Sequence, residues 1–229
     1  MKLLAIDTST EACSAALAID GHISERYEIA PRKHAELILP MIEALLAEAG
    51  CTLAQMDAIA FGRGPGAFTG IRIGTGVVQG LAFSIDRPVV PVSSLAAMAY
   101  GAMSTFNADH VLAGIDARMG EVYWGAYQRS AASGVTLLAE EAVCKPEETF
   151  IPESVSGWIG AGTAWQTYGE LLVARYKGRV AEHHAAIFPR ANDIAALGVI
   201  GFEAGLAVSA EDAQPIYLRN NVAQKKDKL

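Results

Sequence analysis

No lysine occurs between Lys33 and Lys145, and the most glycine-dense loop of the chain, GRGPGAFTGIRIGTG at residues 62–76, falls inside that gap. A P-loop needs G-x-x-x-x-G-K-[ST], whose lysine reaches the phosphates, so this loop is not a nucleotide cradle of that kind. Cysteine is scarce too. Cys13, Cys51 and Cys144 are far apart, odd in number and without C-x-x-C spacing, which argues against a disulfide framework and a zinc site and reads as core thiols in a reducing compartment. Positive charge is short: the net charge of −7 removes counterion release as a source of nucleic-acid affinity over the surface as a whole. Three lysines in the segment QKKDKL at 224–229 are the exception, and such a tail reads as solvated. Long apolar runs are missing as well. The run before Asp7 has only four residues, too short for a signal-peptide core, and nothing approaches a membrane span, so the expected location is the cytoplasm.

Catalytic patterns are equally thin. No G-x-S-x-G elbow is present. Helical metal binding needs a second ligand one turn away, and the positions four residues from His34 are Ala30 and Ile38. His183 and His184 are adjacent in a stretch that reads as a loop; all five histidines read as structural or solvent-exposed.

What is present is an α/β composition. Of 229 residues 52% are hydrophobic, 7% are aromatic and 22 are glycine, which describes alanine-rich helices packed tightly on sheets, at a length that suits two small domains. Residues 3–6 read as a buried central strand, 12–19 and 23–29 as two further strands, and 31–50 as a helix that Pro40 should kink. A helix at 69–86, a strand at 89–92 and a helix at 93–103 complete a first half. The second half opens at 111 with a strand, followed by strands at 121–127, 135–143 and 158–160 and helices at 165–176 and 191–206; the boundary falls within 104–109.

The two halves begin alike. Ala5-Ile6-Asp7, then Glu11 and a strand, is echoed by Gly114-Ile115-Asp116, then Glu121 and a strand, a weak sign of internal duplication. If the halves are related, Asp7 and Asp116 would face one cleft and suit a magnesium held largely through water; each also reads simply as a turn cap. The helices carry another signal. The apolar arcs over residues 37–49 and 70–85 are roughly 220° wide, whereas a helix packed on one side needs about 100°. Gly70, Gly74 and Gly80 add a smooth surface for close approach. The surplus apolar face fits an interface with another chain or burial by the second half.

Together LLAIDTSTEACSAAL, PRKHAELILPMIEALL, GRGPGAFTGIRIGTGVVQGLA, VLAGIDARMGEVYWGAY and PIYLRNNVA, in this order, resemble the bacterial TsaB (YeaZ) family of tRNA threonylcarbamoyladenosine biosynthesis proteins. The resemblance spans both halves; residues 130–190 add little beyond GWIGAGTAW. It implies two duplicated ribonuclease-H-like domains in the actin-like, Hsp70-like ATPase (ASKHA) arrangement, at 1–105 and 106–229, with the final segment packing back on the first. It further implies a non-catalytic scaffold for threonylcarbamoylation of the adenosine beside the anticodon in tRNAs reading codons that begin with A. The implied partners are a TsaD-type transferase, which carries the metal, and a TsaE-type ATPase, with tRNA met only through the complex, a homodimer when the transferase is absent, and no membrane. The implied partner-binding residues are Leu37, Ile38, Met41, Leu45, Ile73, Val77 and Leu81 on the two first-half helices. Asp7, Thr8 and Asp116 match a vestigial nucleotide site, with no tightly bound cofactor expected and weak ATP or ADP with magnesium the most it would hold. The alternatives are an ATP-dependent kinase or hydrolase of the same fold using Asp7 and Asp116, and, behind it, a metallopeptidase, against which the missing second histidine speaks.

Overall fold

The computed structural model describes residues 1–152 and 156–219. Residues 220–223 of the PIYLRNNVA motif and the lysines of the tail lie outside them. The first sheet is built from β1 (Lys2–Asp7), β2 (Ala12–Ile19), β3 (His22–Ile29), β4 (Ala58–Gly62) and β5 (Val89–Val92), in the order β3-β2-β1-β4-β5. β1 pairs antiparallel with β2 and parallel with β4; it is buried on both faces, and its run Leu3–Ile6 is accordingly apolar throughout. The second sheet uses β6 (His110–Arg118), β7 (Glu121–Ser130), β8 (Gly134–Leu137), β10 (Trp158–Ala161) and β11 (Val180–His184) in the order β11-β10-β6-β7-β8, with β9 (Ala142–Cys144) beside β7. Read from β8, this order repeats that of the first sheet. The three leading strands are antiparallel and the next two parallel in both. The echo of strand and aspartate noticed in the sequence is therefore a duplicated topology.

Five helices sandwich the sheets. α1 (His34–Glu48) and α2 (Phe68–Ile85) cover one face of the first sheet, where Ile38, Ile42, Leu45, Val78 and Ala82 pack on Leu4, Ile6, Ile59 and Phe61. α5 (Ala191–Glu203) covers the opposite face, with Ile194 and Leu197 against Leu3, Ala5 and Ala60. α3 (Ser94–Phe106) lies against the second sheet through Met98, Ala102 and Met103, and α4 (Thr163–Tyr176) closes its far face over Leu112, Trp124 and Trp158. α5 thus returns from the second half to the first, and its start is tied there. The Ala191 N–H donates to Ser14 Oγ at 2.9 Å, and Arg190 pairs with Glu25.

Two sequence expectations change, those for residues 135–143 and for His183–His184. α1 is continuous from His34 to Glu48, with Pro40 inside it and facing solvent. The strand expected at 135–143 is two short strands, since Glu141 between them turns inward to accept from Tyr127 Oη and Ser93 Oγ. The pair His183–His184 lies on β11, not in a loop, and its side chains take opposite faces, stacking on Trp165 and Phe106. His34 is buried at the start of α1 and donates from Nε2 to the Ala12 carbonyl at 3.2 Å.

Candidate functional site

The turn after β1 is sealed. Asp7 is 1% exposed; its Oδ1 accepts from the Ser9 N–H and Ser9 Oγ, each at 2.9 Å, and Oδ2 from Ser94 Oγ at 3.4 Å. Burial outweighs these hydrogen bonds and pushes the carboxyl up to about 6. The cover is the glycine-dense segment itself. A Cβ at Gly62 would collide with the Asp7 carboxylate, one at Gly66 with the Ser9 carbonyl, one at Gly70 with the Thr8 carbonyl, and one at Gly74 with Thr8 Oγ1. The Ala67 N–H donates to Ser9 O at 2.7 Å and Thr8 Oγ1 to Gly70 O at 2.8 Å, so the first turn of α2 is bound to this turn of its own chain. Gly70 and Gly74 are therefore internal packing positions, which corrects their assignment to a smooth outer surface.

The turn after β6 is open. Asp116 lines a cavity of about 580 Å³ between the halves, with Ser9, Thr10, Glu11, Tyr123, Thr163 and Thr167; Asp7 does not reach it. Asp116 Oδ1 accepts from the Arg118 N–H at 2.8 Å and Oδ2 from Thr167 Oγ1 at 3.1 Å. Arg118 then bridges the cleft, 3.2 Å from Glu11 and 3.5 Å from Asp116. Magnesium with a nucleotide does not fit this arrangement. One carboxylate is walled off, the other is engaged by Arg118 and Thr167, and no lysine approaches from the glycine-rich loop.

The seven residues expected at an interface divide. Ile38 and Leu45 are buried beneath α1 in the core of the first sheet, so they present no surface to a partner. Leu37, Met41, Val77 and Leu81 are half-buried and packed against that core, in the seam where α1 and α2 meet, and Ile73 on α2 is half-buried as well. The solvent side of α2 is a separate stripe of Thr69, Arg72, Gly76, Gly80 and Phe83, following one another at three or four residues. Phe83 is 83% exposed, and a Cβ at Gly76 or Gly80 would meet nothing within 4 Å. On α1, Leu39 is also exposed.

Comparison with known proteins gives concordant results. Residues 27–226 match the family model described as TsaD, tRNA N6-adenosine threonylcarbamoyltransferase. The tRNA threonylcarbamoyladenosine biosynthesis protein TsaB of Escherichia coli (strain K12) is 46% identical over 229 residues, covering 99% of this chain and 98% of that protein. The chain belongs to the TsaB family. The TsaB protein of Haemophilus influenzae (strain ATCC 51907 / DSM 11121 / KW20 / Rd) is 40% identical over 233 residues, covering 99% of this chain and 97% of its own. The solved structure of YeaZ from Pseudomonas aeruginosa superposes with a TM-score of 0.89 at 50% identity, over 95% of this chain and 99% of that one. In this TsaB-family chain, sequence reading missed Arg118, Glu11 and Arg219, whose pairing joins residues more than ninety positions apart. Their spacing carries no motif; only the tertiary fold brings them together.

Proposed function

We propose that the chain serves tRNA threonylcarbamoyladenosine formation as a non-catalytic scaffold and activator. It binds a TsaD-type transferase through α1 and α2; a TsaE-type ATPase joins the assembly, and tRNA is met only through the complex. The observation that carries this reading is the exposed stripe of α2, two bare glycines and a solvent-facing phenylalanine beside the α1 seam, in a chain of the TsaB family. Bare glycines let a second helix approach closely while Phe83 supplies an apolar anchor. Without the transferase the same stripe pairs two copies of this chain. Among the described residues no helix is long and apolar enough to cross a membrane.

Co-purification with the transferase tests the reading. Gly80→Arg and Phe83→Asp leave the monomer's packing alone, since both positions point to open solvent, and each weakens the complex by about 100-fold with an unchanged melting temperature. A complex that forms normally with both variants would remove α2 from the interface. The enzyme alternative keeps one observation in its favour, Asp116, Thr163 and Thr167 together on the cavity wall. ATP turnover by the purified chain, lost in Asp116→Asn, would establish it and overturn the scaffold.

A further inference from the structure

After α5 the chain turns back over both halves. Val208 and Val89 exchange backbone hydrogen bonds at 2.8 Å, which covers part of the β5 edge. The chain then follows the flank of α2 away from α1. Gln79 Nε2 donates to the Ala213 carbonyl at 3.0 Å, and the Ile216 N–H donates to the Arg63 carbonyl at 2.8 Å. Tyr217 packs its ring 5.5 Å from Phe68 and accepts from Arg72 Nε at 2.9 Å, while the Arg72 guanidinium sits 3.8 Å from the centre of the Phe68 ring. Two residues later the strap has reached the second sheet. Arg219 pairs with Glu121 and donates to the Arg118 carbonyl at 3.3 Å.

The strap therefore runs through the space between the halves. Ile216, Tyr217, Leu218 and Arg219 form one wall of the cavity that Asp116 lines, and Ile216 and Leu218 also border a groove of about 810 Å³ at Arg63, Tyr127 and Leu206. The contacts across the cleft are unequal. The Arg118–Glu11 pair is largely exposed, its arginine at 73%, so screening leaves it little strength, whereas the Arg219 side chain is 16% exposed in its pair with Glu121. Asp7 cannot take part, being sealed behind Gly62.

We infer that residues 208–219 are an intramolecular clamp that walls one side of the cleft, fixing the two sheets relative to each other and tying the open end of β6 to the first turns of α2. The cleft is then braced by the chain itself, and a change at Arg118–Gly120 is felt at Phe68 and Arg72 through three residues of strap, Tyr217 to Arg219. The clamp stands whatever partner α2 meets.

Hydrogen exchange of the isolated full-length protein, followed by mass spectrometry, tests this. In the double variant Tyr217→Ala/Arg219→Gln, peptides covering 116–122 and 65–72 should exchange about 10-fold faster, with α1 and β2 unchanged, because the strap is the better buried of the two ties between those regions, the other running through the exposed Arg118–Glu11 pair. Tyr217→Phe keeps the ring on Phe68 and removes the acceptor of Arg72, so it should accelerate 65–72 alone, by about 3-fold. Wild-type exchange in both regions of the double variant, or acceleration confined to the strap, overturns the clamp. So does uniform acceleration in the double variant combined with no change in Tyr217→Phe.

Discussion

The turn after β1 and the turn after β6 start from the same pattern, an apolar strand ending in aspartate, and hold the same place in two sheets of one topology. Their surroundings differ completely. Asp7 sits under four glycines of the β4–α2 segment, with its carboxyl pushed up to about 6 by burial, while Asp116 stands on a cavity wall beside Arg118 and Thr167. Gly120, in the second turn, has a positive φ and nothing within 4 Å of where a Cβ would lie. The duplication thus supplied two equivalent aspartates, and packing enclosed one of them, while Ser9, Thr10 and Glu11 just beyond it still line the cavity. A carboxylate so enclosed is a poor partner for magnesium and phosphate.

The largest test of this contrast is the glycine cover. Gly70→Val drives a side chain into the Thr8 carbonyl and should cost about 3 kcal/mol or more, a fall of roughly 6–12 °C in melting temperature, whereas Gly120→Ala, which meets only its own backbone preference, should cost about 1 kcal/mol. Equal losses by thermal denaturation would mean that the first turn is no more tightly packed than the second.

Next comes Asp7→Asn. The folded-state value of about 6 lies above the unfolded 3.8, so the native state holds the extra proton across that window. The Asp7 contribution to stability is therefore intact below about pH 4, declines as pH rises through 6, and stays low above it. Asparagine keeps the neutral form. The variant should be more stable than wild type by about 1–3 kcal/mol at pH 7.5, with the gain vanishing near pH 4 in urea titrations. A loss of stability at pH 7.5 would show that the charged carboxylate is needed.

The smallest effect belongs to the open turn. Arg118→Ala removes exposed pairs to Glu11 and Asp116 and should change stability by no more than about 1 kcal/mol, less in 0.5 M salt than in 0.05 M. A loss as large as that at Gly70 would make this bridge, not the strap, the main tie across the cleft.

Much of this could be read without coordinates. Apolar runs marked β1 and β6 because a strand covered by helices on both faces of its sheet is apolar on both, and β2 and β5 fall at the residues their patterns indicated. The surplus apolar width of α1 and α2 also pointed to an unusual environment. Which residues faced which way was another matter. Ile38 and Leu45 have the same chemistry as Leu37 and Met41, yet one pair is core and the other seam, and Gly70 and Gly80 read alike until one is found against Thr8 and the other against nothing. His183 and His184 gave no strand signal because histidine and glutamate carry little β preference of their own; pairing with β10 decided their conformation.

The sequence by itself determined the repeated strand-and-aspartate opening, most of the strands and helices, the family, and the lack of a P-loop lysine and of a second histidine one turn from His34, because local periodicity and residue chemistry suffice for these. Tertiary structure alone decided that the Asp7 carboxylate is sealed and Asp116 open, that α5 returns to the first half, and that the exposed stripe of α2 runs through Gly76, Gly80 and Phe83. Burial and long-range pairing depend on where distant segments meet, and no local pattern in the chain records that meeting.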